Sequence, residues 1–229
     1  MTDAGLPQGE EKAKAVRSLF DTISGRYDLV NRVMTFRMDV GWRRRAIAAL
    51  RLRPGALVYD LACGTGDFCR ELEAAGHPVV GFDFSFGMLA NARTAAPLVQ
   101  ADALVLPVRD ASADAVTCGF ALRNVVSLEG LFAELGRVVR SGGTIALLET
   151  SRPDNAALRA GHAVYFGKVV PLIGGLLSNR AAYAYLPRSM AYLPPVDDIL
   201  LMLRAAGFPD ARRLQLSGGV TQVFLGTRA

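Results

Sequence analysis

The chain has 229 residues, of which 51% are hydrophobic and 21% are charged, and its formal net charge is +5. This length and composition allow a single domain with a full core and exclude a disordered protein. The most apolar stretch, Ala163 to Leu177, is broken by Lys168 and Pro171. It is also too short to cross a bilayer, so no membrane span is predicted.

The positive charge suits three kinds of partner: nucleic acid, an anionic membrane surface or an acidic substrate. The arginines are dispersed apart from one cluster, Arg43 to Arg45, which we interpret as the solvated face of a helix. Because the spacing of Cys63, Cys69 and Cys118 does not match a metal site, no metal is predicted. The odd number of cysteines and the lack of a secretion signal favour a cytoplasmic location.

Residues 1–52 are predicted to form a helical lid. Apolar side chains recur at the spacing of one helix face at Val16, Leu19, Phe20 and Ile23. A second helix is predicted from Trp42 to Leu50, and the pair Pro54-Gly55 ends this part of the chain.

Residues 56–150 alternate short apolar runs with amphipathic stretches, which predicts crossover units and a parallel sheet buried on both faces. The predicted strands are Leu57–Leu61, Val79–Asp83, Leu98–Ala101, Ala115–Gly119 and Thr144–Glu149. The predicted helices are Gly66–Ala75, Gly87–Ala95 and Leu128–Val139.

Residues 151–229 are predicted to provide apolar helices, including Val196–Ala206, and then two strands, Leu214–Leu216 and Val220–Thr227, joined by Ser217-Gly218-Gly219. Those two strands indicate an antiparallel hairpin. The whole chain therefore predicts an α/β fold: a doubly wound, mostly parallel seven-stranded sheet with an antiparallel C-terminal edge hairpin and N-terminal helices.

The strongest local motif is the glycine-rich loop from Asp60 to Asp67, which follows a strand and opens a helix. Gly64 and Gly66 let the backbone approach a ligand, and the start of the helix offers free N–H donors. The third glycine of a dinucleotide fingerprint is missing. Asp67 would repel a pyrophosphate but tolerates a sulfonium with an α-amino group, so the loop favours S-adenosylmethionine over NAD.

Two further carboxylates follow predicted strands. Asp83 ends the second strand, about twenty residues after the first glycine of the loop, where it can accept hydrogen bonds from both ribose hydroxyls. Asp102, followed by Ala103, ends the third strand and can face an adenine amino group. The alternative role for either carboxylate alone is to cap a helix. Their common position at the carboxyl ends of strands favours a shared ligand site.

Beyond this loop, the chain resembles the ubiquinone/menaquinone biosynthesis C-methyltransferases over nearly its whole length. The resemblance rests on Phe20-Asp21-x-Ile23-x-x-Arg26-Tyr27-Asp28-x-x-Asn31, Asp60-x-x-x-Gly64-Thr65-Gly66-Asp67, Asp83-x-Ser85-x-x-Met88-Leu89, Leu122-Arg123-Asn124-Val125, Leu148-Glu149-x-Ser151-x-Pro153 and Tyr185-Leu186-Pro187-x-Ser189. The Arg-Tyr-Asp and Leu-Arg-Asn segments are its most specific parts. The glycine loop is shared by all methyltransferases of this kind.

The resemblance implies a cofactor site for S-adenosylmethionine and an acceptor site for a quinol ring. The expected cofactor residues are Asp60, Gly64, Thr65, Gly66, Asp83, Met88, Asp102, Ala103 and Gly119. The expected catalytic residues facing the ring are Tyr27, Arg123 and Asn124. The implied reaction methylates a ring carbon of a prenylated hydroquinone such as demethylmenaquinol.

The role of each catalytic residue follows from its chemistry. A guanidinium keeps its proton, so Arg123 is expected to stabilise a developing phenolate rather than to act as a base. The acceptor of the proton stays open between Tyr27, Asp28 and water. His77 and His162 are expected to be structural, and Tyr183, Tyr185 and Tyr192 to be core or lid residues.

Four positions depart from the family's pattern. Arg37 and Ala121 stand where glycine is common, Arg188 where an acidic residue is frequent, and Phe224 where histidine is usual. Because these positions cluster near the expected acceptor pocket, another phenolic or prenylated small molecule is the alternative acceptor. A non-catalytic protein that binds the cofactor within an assembly is a further alternative.

Partners follow the same reasoning. The dispersed arginines, and the absence of the segments typical of base methylation, predict that nucleic acid is not the substrate. An apolar cavity mouth could rest on a membrane surface beside a lipid substrate. The sequence leaves open a homodimer.

Overall fold

The computed structural model describes residues 7–177, 185 and 188–229, so the predictions for Tyr183, Leu186 and Pro187 lie outside the described residues. The helices are α1 (Gly9–Ile23), α2 (Tyr27–Met34), α3 (Met38–Leu50), α4 (Asp67–Ala74), α5 (Phe86–Ala90), α6 (Leu128–Val138), α7 (Ala156–Val164), α8 (Val170–Leu177) and α9 (Val196–Ala205). A short π-helix, Tyr165–Val169, joins α7 to α8.

Seven strands form a single sheet in the order β3-β2-β1-β4-β5-β7-β6. They are β1 (Val58–Leu61), β2 (Val79–Asp83), β3 (Leu98–Gln100), β4 (Ala113–Gly119), β5 (Val139–Thr150), β6 (Arg212–Leu216) and β7 (Thr221–Thr227). Strands β1 to β5 pair in parallel, and β7 runs antiparallel to both β5 and β6. The predicted mostly parallel sheet with a C-terminal antiparallel hairpin is confirmed.

Apolar side chains are buried on both faces of this sheet, which explains the almost continuous apolar character of its central strands. One face is covered by α6 and α9 through Leu131, Phe132, Leu135, Ile199 and Leu203. The other face is covered by α3 and α4 through Trp42, Ala46, Ile47, Phe68 and Leu72. The strands therefore aim their carboxyl ends at one edge of a rigid, doubly covered sheet.

The helix predicted at Gly87–Ala95 is the main error in the central part of the chain, because α5 ends at Ala90. The Asn91 side chain donates to the carbonyl of Gly87 and to the Ser24 hydroxyl, at 2.9 and 3.2 Å. The Arg93 N–H then donates to the Thr65 carbonyl of the glycine loop. These side-chain and long-range bonds compete with helix continuation, so the segment docks on the loop instead.

The N-terminal helix α1 packs on α5 and is anchored at both ends. Near its start, the buried Lys12 ammonium donates to the carbonyl of Val125 at 2.7 Å and lies 3.7 Å from the centre of the Tyr192 ring. Near its end, the Asp21 carboxylate accepts hydrogen bonds from the Gly87 N–H and the Ser85 hydroxyl. Helix α1 is thus tied to the loops that follow β2 and β4, and its role as a lid stays a prediction.

Helix α2 is missing from the sequence-based prediction, and α3 begins four residues earlier than the predicted start at Trp42. Among the described residues, no helix combines the length and apolar character that a membrane crossing requires.

Candidate active site

The glycine-rich loop connects β1 to α4 and takes a conformation that suits glycine. Gly64 and Gly66 have positive φ values of 57° and 85°. The Asp83 carboxylate at the end of β2 holds this loop, because one oxygen accepts from the Gly64 N–H at 2.7 Å and the other from the Ser85 N–H at 2.8 Å. Burial raises the pKa of Asp83 to about 6, while these backbone donors oppose the shift.

A first cavity, with about 890 Å³ of empty space, lies beyond the carboxyl ends of β1, β2 and β4. Six of the predicted cofactor residues line it: Gly64, Asp83, Met88, Asp102, Ala103 and Gly119. Helix α1 supplies the opposite wall, including Val16, Arg17 and Phe20. The exposed Phe84 and Val126 belong to its rim, where the Arg17 guanidinium carbon lies 5.0 Å from the centre of the Phe84 ring.

The other three predicted cofactor residues lie behind this cavity. Asp60 is buried and accepts from the Thr117 hydroxyl at 2.8 Å and from the Cys69 thiol at 3.4 Å. The Thr65 hydroxyl donates to the Asp28 carboxylate, and both residues line a separate small depression. Gly66 precedes α4. These three residues shape the loop from behind and do not line the first cavity.

Asp60 makes the stability of the fold depend on pH. Burial raises its pKa to about 7, above the ordinary value of 3.8. Because the pKa is higher in the folded state than in the unfolded state, folding favours the protonated form of Asp60. Its contribution to the unfolding free energy is fully present below about pH 4 and is lost as the pH rises through about 7.

An Asp60→Asn variant should therefore gain unfolding free energy relative to the natural chain as the pH rises, by about 1 kcal/mol or more between about pH 4 and about pH 8. Urea denaturation at several pH values measures this difference. An Asp110→Asn variant, altered at an exposed carboxylate, is the control. Parallel stability curves for Asp60→Asn and the natural chain would contradict the prediction.

The two loop glycines should respond differently to alanine. A Cβ at Gly66 would lie 2.7 Å from the Cγ2 of Thr94, whereas a Cβ at Gly64 has no atom within 4 Å among the described residues. We expect Gly66→Ala to cost about 2–4 kcal/mol from backbone strain and overlap, and Gly64→Ala to cost about 1–2 kcal/mol from strain alone. Because Gly64 lines the first cavity, its alanine variant should also weaken S-adenosylmethionine binding. Thermal denaturation measures the stability of both variants, and calorimetric titration measures their cofactor affinity. Equal stability losses in the two variants would contradict the prediction.

A second, larger and mostly apolar cavity, with about 1620 Å³ of empty space, adjoins the first. Its walls come from α1, α2, α3, α7 and α8 and from the start of β7. Three aromatic residues line both cavities: Phe20, Tyr27 and Phe120. This shared aromatic wall is therefore the place where a group bound in the first cavity can reach a ligand in the second.

The three predicted catalytic residues lie around the shared wall. Tyr27 lines both cavities, Asn124 lines the first, and Arg123 lines the second. Burial is the main cause of a raised pKa at the Tyr27 phenol, with the nearby Arg123 and Arg43 charges opposing it. Tyr27 therefore keeps its proton near neutral pH and is a poor base. The Asn124 side chain accepts a hydrogen bond from the Tyr185 hydroxyl at 3.3 Å.

Arg123 is buried rather than exposed on a helix-entry turn. Its guanidinium forms an ion pair with Glu149, whose side chain is fully buried, and its Nε donates to the Ser189 hydroxyl at 3.1 Å. The Glu149 carboxylate also accepts from the Thr150 N–H at 2.7 Å. This support fixes a positive charge in a cavity that is otherwise mainly apolar.

Arg43 corrects the interpretation of the arginine cluster. Arg44 and Arg45 are exposed, as expected of a solvated helix face, but Arg43 is only 6% exposed and lines the second cavity. Its guanidinium forms ion pairs of 2.7 Å with Asp39 and with Asp67 of the glycine loop. Arg43 thus links the wall of the second cavity to the loop. The four-residue spacing of Asp39 and Arg43 is a local sequence signal for the first ion pair. No local signal predicts the ion pair with Asp67.

The structure also shows where Asp28, a candidate proton acceptor, and the two histidines lie relative to the cavities. Asp28 lines neither cavity and pairs with Thr65, so it is not placed to take a proton from a ligand there. His162, expected to be structural, lines the second cavity, and burial lowers its pKa. His77 lies outside both cavities.

Two of the four residues that depart from the family's sequence pattern have a structural explanation. Arg37 has φ +62°, a conformation that favours glycine, which accounts for the glycine expected there. Phe224 is fully buried in the core beneath α6 and α9 and does not reach the acceptor cavity. Ala121 lines the first cavity, and Arg188 is exposed.

Comparison with protein families adds direct evidence to this geometry. The model described as the ubiE/COQ5 methyltransferase family matches residues 8–228.

The chain belongs to this family.

Curated relatives extend over almost the same length. The demethylmenaquinone methyltransferase of Roseiflexus castenholzii is 39% identical, with 97% of each chain covered. That of Thermus thermophilus is 40% identical, with 92% of this chain and 100% of its own covered. A solved S-adenosylmethionine-dependent methyltransferase of Thermotoga maritima has a TM-score of 0.67 at 18% identity, covering 93% of this chain and 100% of its own, which shows a shared fold.

This family member is therefore an S-adenosylmethionine-dependent methyltransferase, and the first cavity fits that cofactor. The carboxylates of Asp83 and Asp102 can accept hydrogen bonds from ribose hydroxyls and an adenine amino group. Phe84, Met88 and Leu104 provide apolar surface for the adenine ring.

Proposed function

We propose that this methyltransferase transfers a methyl group to a ring carbon of demethylmenaquinol, giving menaquinol. The observation that carries the proposal is the large apolar cavity that meets the cofactor cavity at Phe20, Tyr27 and Phe120. Such a cavity suits a prenylated ring better than a polar substrate. The relatives named demethylmenaquinone methyltransferase support the same acceptor.

The residues divide the catalytic work. When bound, S-adenosylmethionine would supply an electrophilic methyl group and leave as S-adenosylhomocysteine, while the ring carbon that takes the methyl group loses its proton to solvent. Arg123 stabilises negative charge that develops on the neighbouring quinol oxygen, because its guanidinium is buried and held by Glu149. Tyr27, Phe20 and Phe120 hold the ring at the shared wall and exclude water. This positioning is worth on the order of 7–11 kcal/mol in well-oriented reactions.

The test is a transfer assay with methyl-labelled S-adenosylmethionine and a short-chain reduced demethylmenaquinone, followed by mass spectrometry of the quinone. Label on the ring carbon, lost in Arg123→Ala and retained in Arg109→Ala, is the expected result. Arg109 is the matched control because it is an exposed arginine outside both cavities. Cofactor binding without transfer to this quinol, combined with transfer to another phenol, would overturn the proposal.

We also propose that the mouth of the second cavity rests on an anionic membrane surface. Phe36, Met38 and Leu158 line this cavity and are at the same time 70%, 43% and 52% exposed. The exposed basic residues Arg37 and Arg159 are their immediate neighbours in the chain. An apolar rim with basic neighbours is the combination that binds the interface of an anionic bilayer.

Flotation with vesicles tests this contact. The protein should float with vesicles that contain anionic phospholipid, less with neutral vesicles, and less again when Phe36 and Leu158 are changed to Ser. A Val105→Ser variant is the control, since Val105 is 75% exposed but lies outside the second cavity. Equal flotation of the Phe36/Leu158 variant and the natural chain would exclude this surface.

A further inference from the structure

Polar residues interrupt the mostly apolar wall of the second cavity beside the Arg123–Glu149 ion pair. Arg123, Thr150 and Thr221 line it there. Thr150 ends β5 and Thr221 begins β7, and the two residues are direct partners in the antiparallel pair. Directly opposed residues in such a pair project to the same face of the sheet. The hydroxyls of these two threonines therefore belong to one site, next to the buried Arg123–Glu149 pair.

The two threonine hydroxyls differ in their partners. The single proton of the Thr150 hydroxyl has two acceptors within reach, the Glu149 carboxylate at 3.1 Å and the Met190 sulfur at 2.7 Å. Thr221 is fully buried, and its Oγ1 has no hydrogen-bond partner among the described residues. Burying a hydroxyl without a partner is unfavourable. Because Thr221 also lines the cavity, a ligand can provide the missing partner.

We propose that Thr221 hydrogen-bonds the second hydroxyl of the quinol, the one para to the hydroxyl that Arg123 faces. This inference rests on the proposed function. A hydroquinone carries two oxygens on opposite sides of its ring, and both lose water when the ring enters an apolar cavity. Arg123 serves the oxygen beside the methylated carbon. A threonine hydroxyl can both donate to and accept from a phenol, so it suits the other oxygen.

Thr221 is thus a specificity-determining residue that distinguishes a hydroquinone from a monophenol. A site built to bond a hydroxyl rejects an analogue without it, because the protein group is then left unpaired. The consequence is that Thr221, which lies outside the sequence motifs, contributes to the preference for the reduced, two-hydroxyl ring.

The experiment uses Thr221→Val, which replaces the hydroxyl by a methyl group of similar shape. With short-chain demethylmenaquinol, we expect KM to rise about three- to tenfold, with kcat changing less than KM. The melting temperature should not fall, because the lost hydroxyl has no partner in the protein. Thr221→Ser, which keeps the hydroxyl, should have a KM close to that of the natural enzyme.

A second substrate makes the test specific. The monohydroxy analogue, which keeps only the hydroxyl beside the acceptor carbon, should have a raised KM with the natural enzyme and the same KM with Thr221→Val. Thr144→Val is the matched control, since the Thr144 hydroxyl is also buried without a partner among the described residues but lies in neither cavity. It should leave both KM values unchanged.

The outcomes separate this inference from the proposed function. No transfer to demethylmenaquinol by the natural enzyme would refute the proposed function and this inference with it. Transfer by the natural enzyme, with an unchanged KM in Thr221→Val, would refute the role of Thr221 alone. An equal rise in KM in Thr144→Val would also refute the role of Thr221, because the rise would then come from disturbing the core and not from losing a ligand contact.

Discussion

An Arg123→Met variant is expected to lose about 3–5 kcal/mol of unfolding free energy, because it leaves the Glu149 carboxylate buried without its counter-charge. Glu149 is fully buried, and Arg123 is its ion-pair partner. Arg123 is also the predicted stabiliser of the quinol oxygen, so kcat should fall about 10²–10³-fold. Chemical denaturation and the methyl-transfer assay measure the two effects separately.

The double variant Arg123→Met/Glu149→Gln distinguishes a structural role from a catalytic one. It removes both charges and keeps an acceptor for the Thr150 N–H, which bonds to Glu149 at 2.7 Å. We expect most of the stability to return, since neutral replacement of a buried ion pair is often tolerated. The activity should stay low. A double variant with the stability and kcat of the natural enzyme would limit Arg123 to supporting the fold.

Asp83→Ala should weaken S-adenosylmethionine binding about 100-fold or more. The carboxylate holds the Gly64 N–H of the glycine loop and lines the first cavity, so the variant loses the anchor of the loop and the predicted ribose contact together. Two charge-assisted hydrogen bonds at about 1.5–3 kcal/mol each account for this magnitude. Isothermal titration calorimetry with S-adenosylmethionine and S-adenosylhomocysteine measures the affinity.

Asp83 should also give cofactor binding a pH dependence. Its pKa is about 6, and the ionised form is the better acceptor for ribose hydroxyls. Affinity should therefore rise as the pH increases through about 6 in the natural enzyme and stay flat in Asp83→Asn. An Asp102→Asn variant, altered at an exposed carboxylate of the same cavity, should keep the pH dependence. A natural enzyme with pH-independent affinity would argue against ribose recognition by the Asp83 carboxylate.

The sequence predicts the fold and the cofactor well because their signals are local. The alternating apolar runs predict β1 to β5, the C-terminal hairpin signal predicts β6 and β7, and the glycine loop with Asp83 indicates the methyl-donor site. Family membership confirms the S-adenosylmethionine-dependent methyltransferase. The individual site residues stay predictions, although six of the nine expected cofactor residues line the first cavity.

Features that depend on long-range packing are not predicted by the sequence. Arg43 resembles its exposed neighbours in composition, and its contact with Asp67 brings together residues of α3 and the glycine loop. The end of α5 depends on two distant partners, the Ser24 hydroxyl for the Asn91 side chain and the Thr65 carbonyl for the Arg93 N–H. The polar residues beside Arg123 in the second cavity join the end of β5 to the start of β7, about 70 residues apart. The predictions about nucleic acid and dimerisation stay untested.

The different rims of the two cavities bear on kinetic order. The first is bordered by Arg17, Phe84 and Val126, and the second by Phe36, Met38 and Leu158. Because different exposed residues border the two cavities, we expect each ligand to enter without passing the other, and the ternary complex to form with random order of addition. The spent nucleoside can exchange with the aqueous phase while the lipid is still bound. S-adenosylhomocysteine should accordingly compete with the methyl donor and not with the quinol.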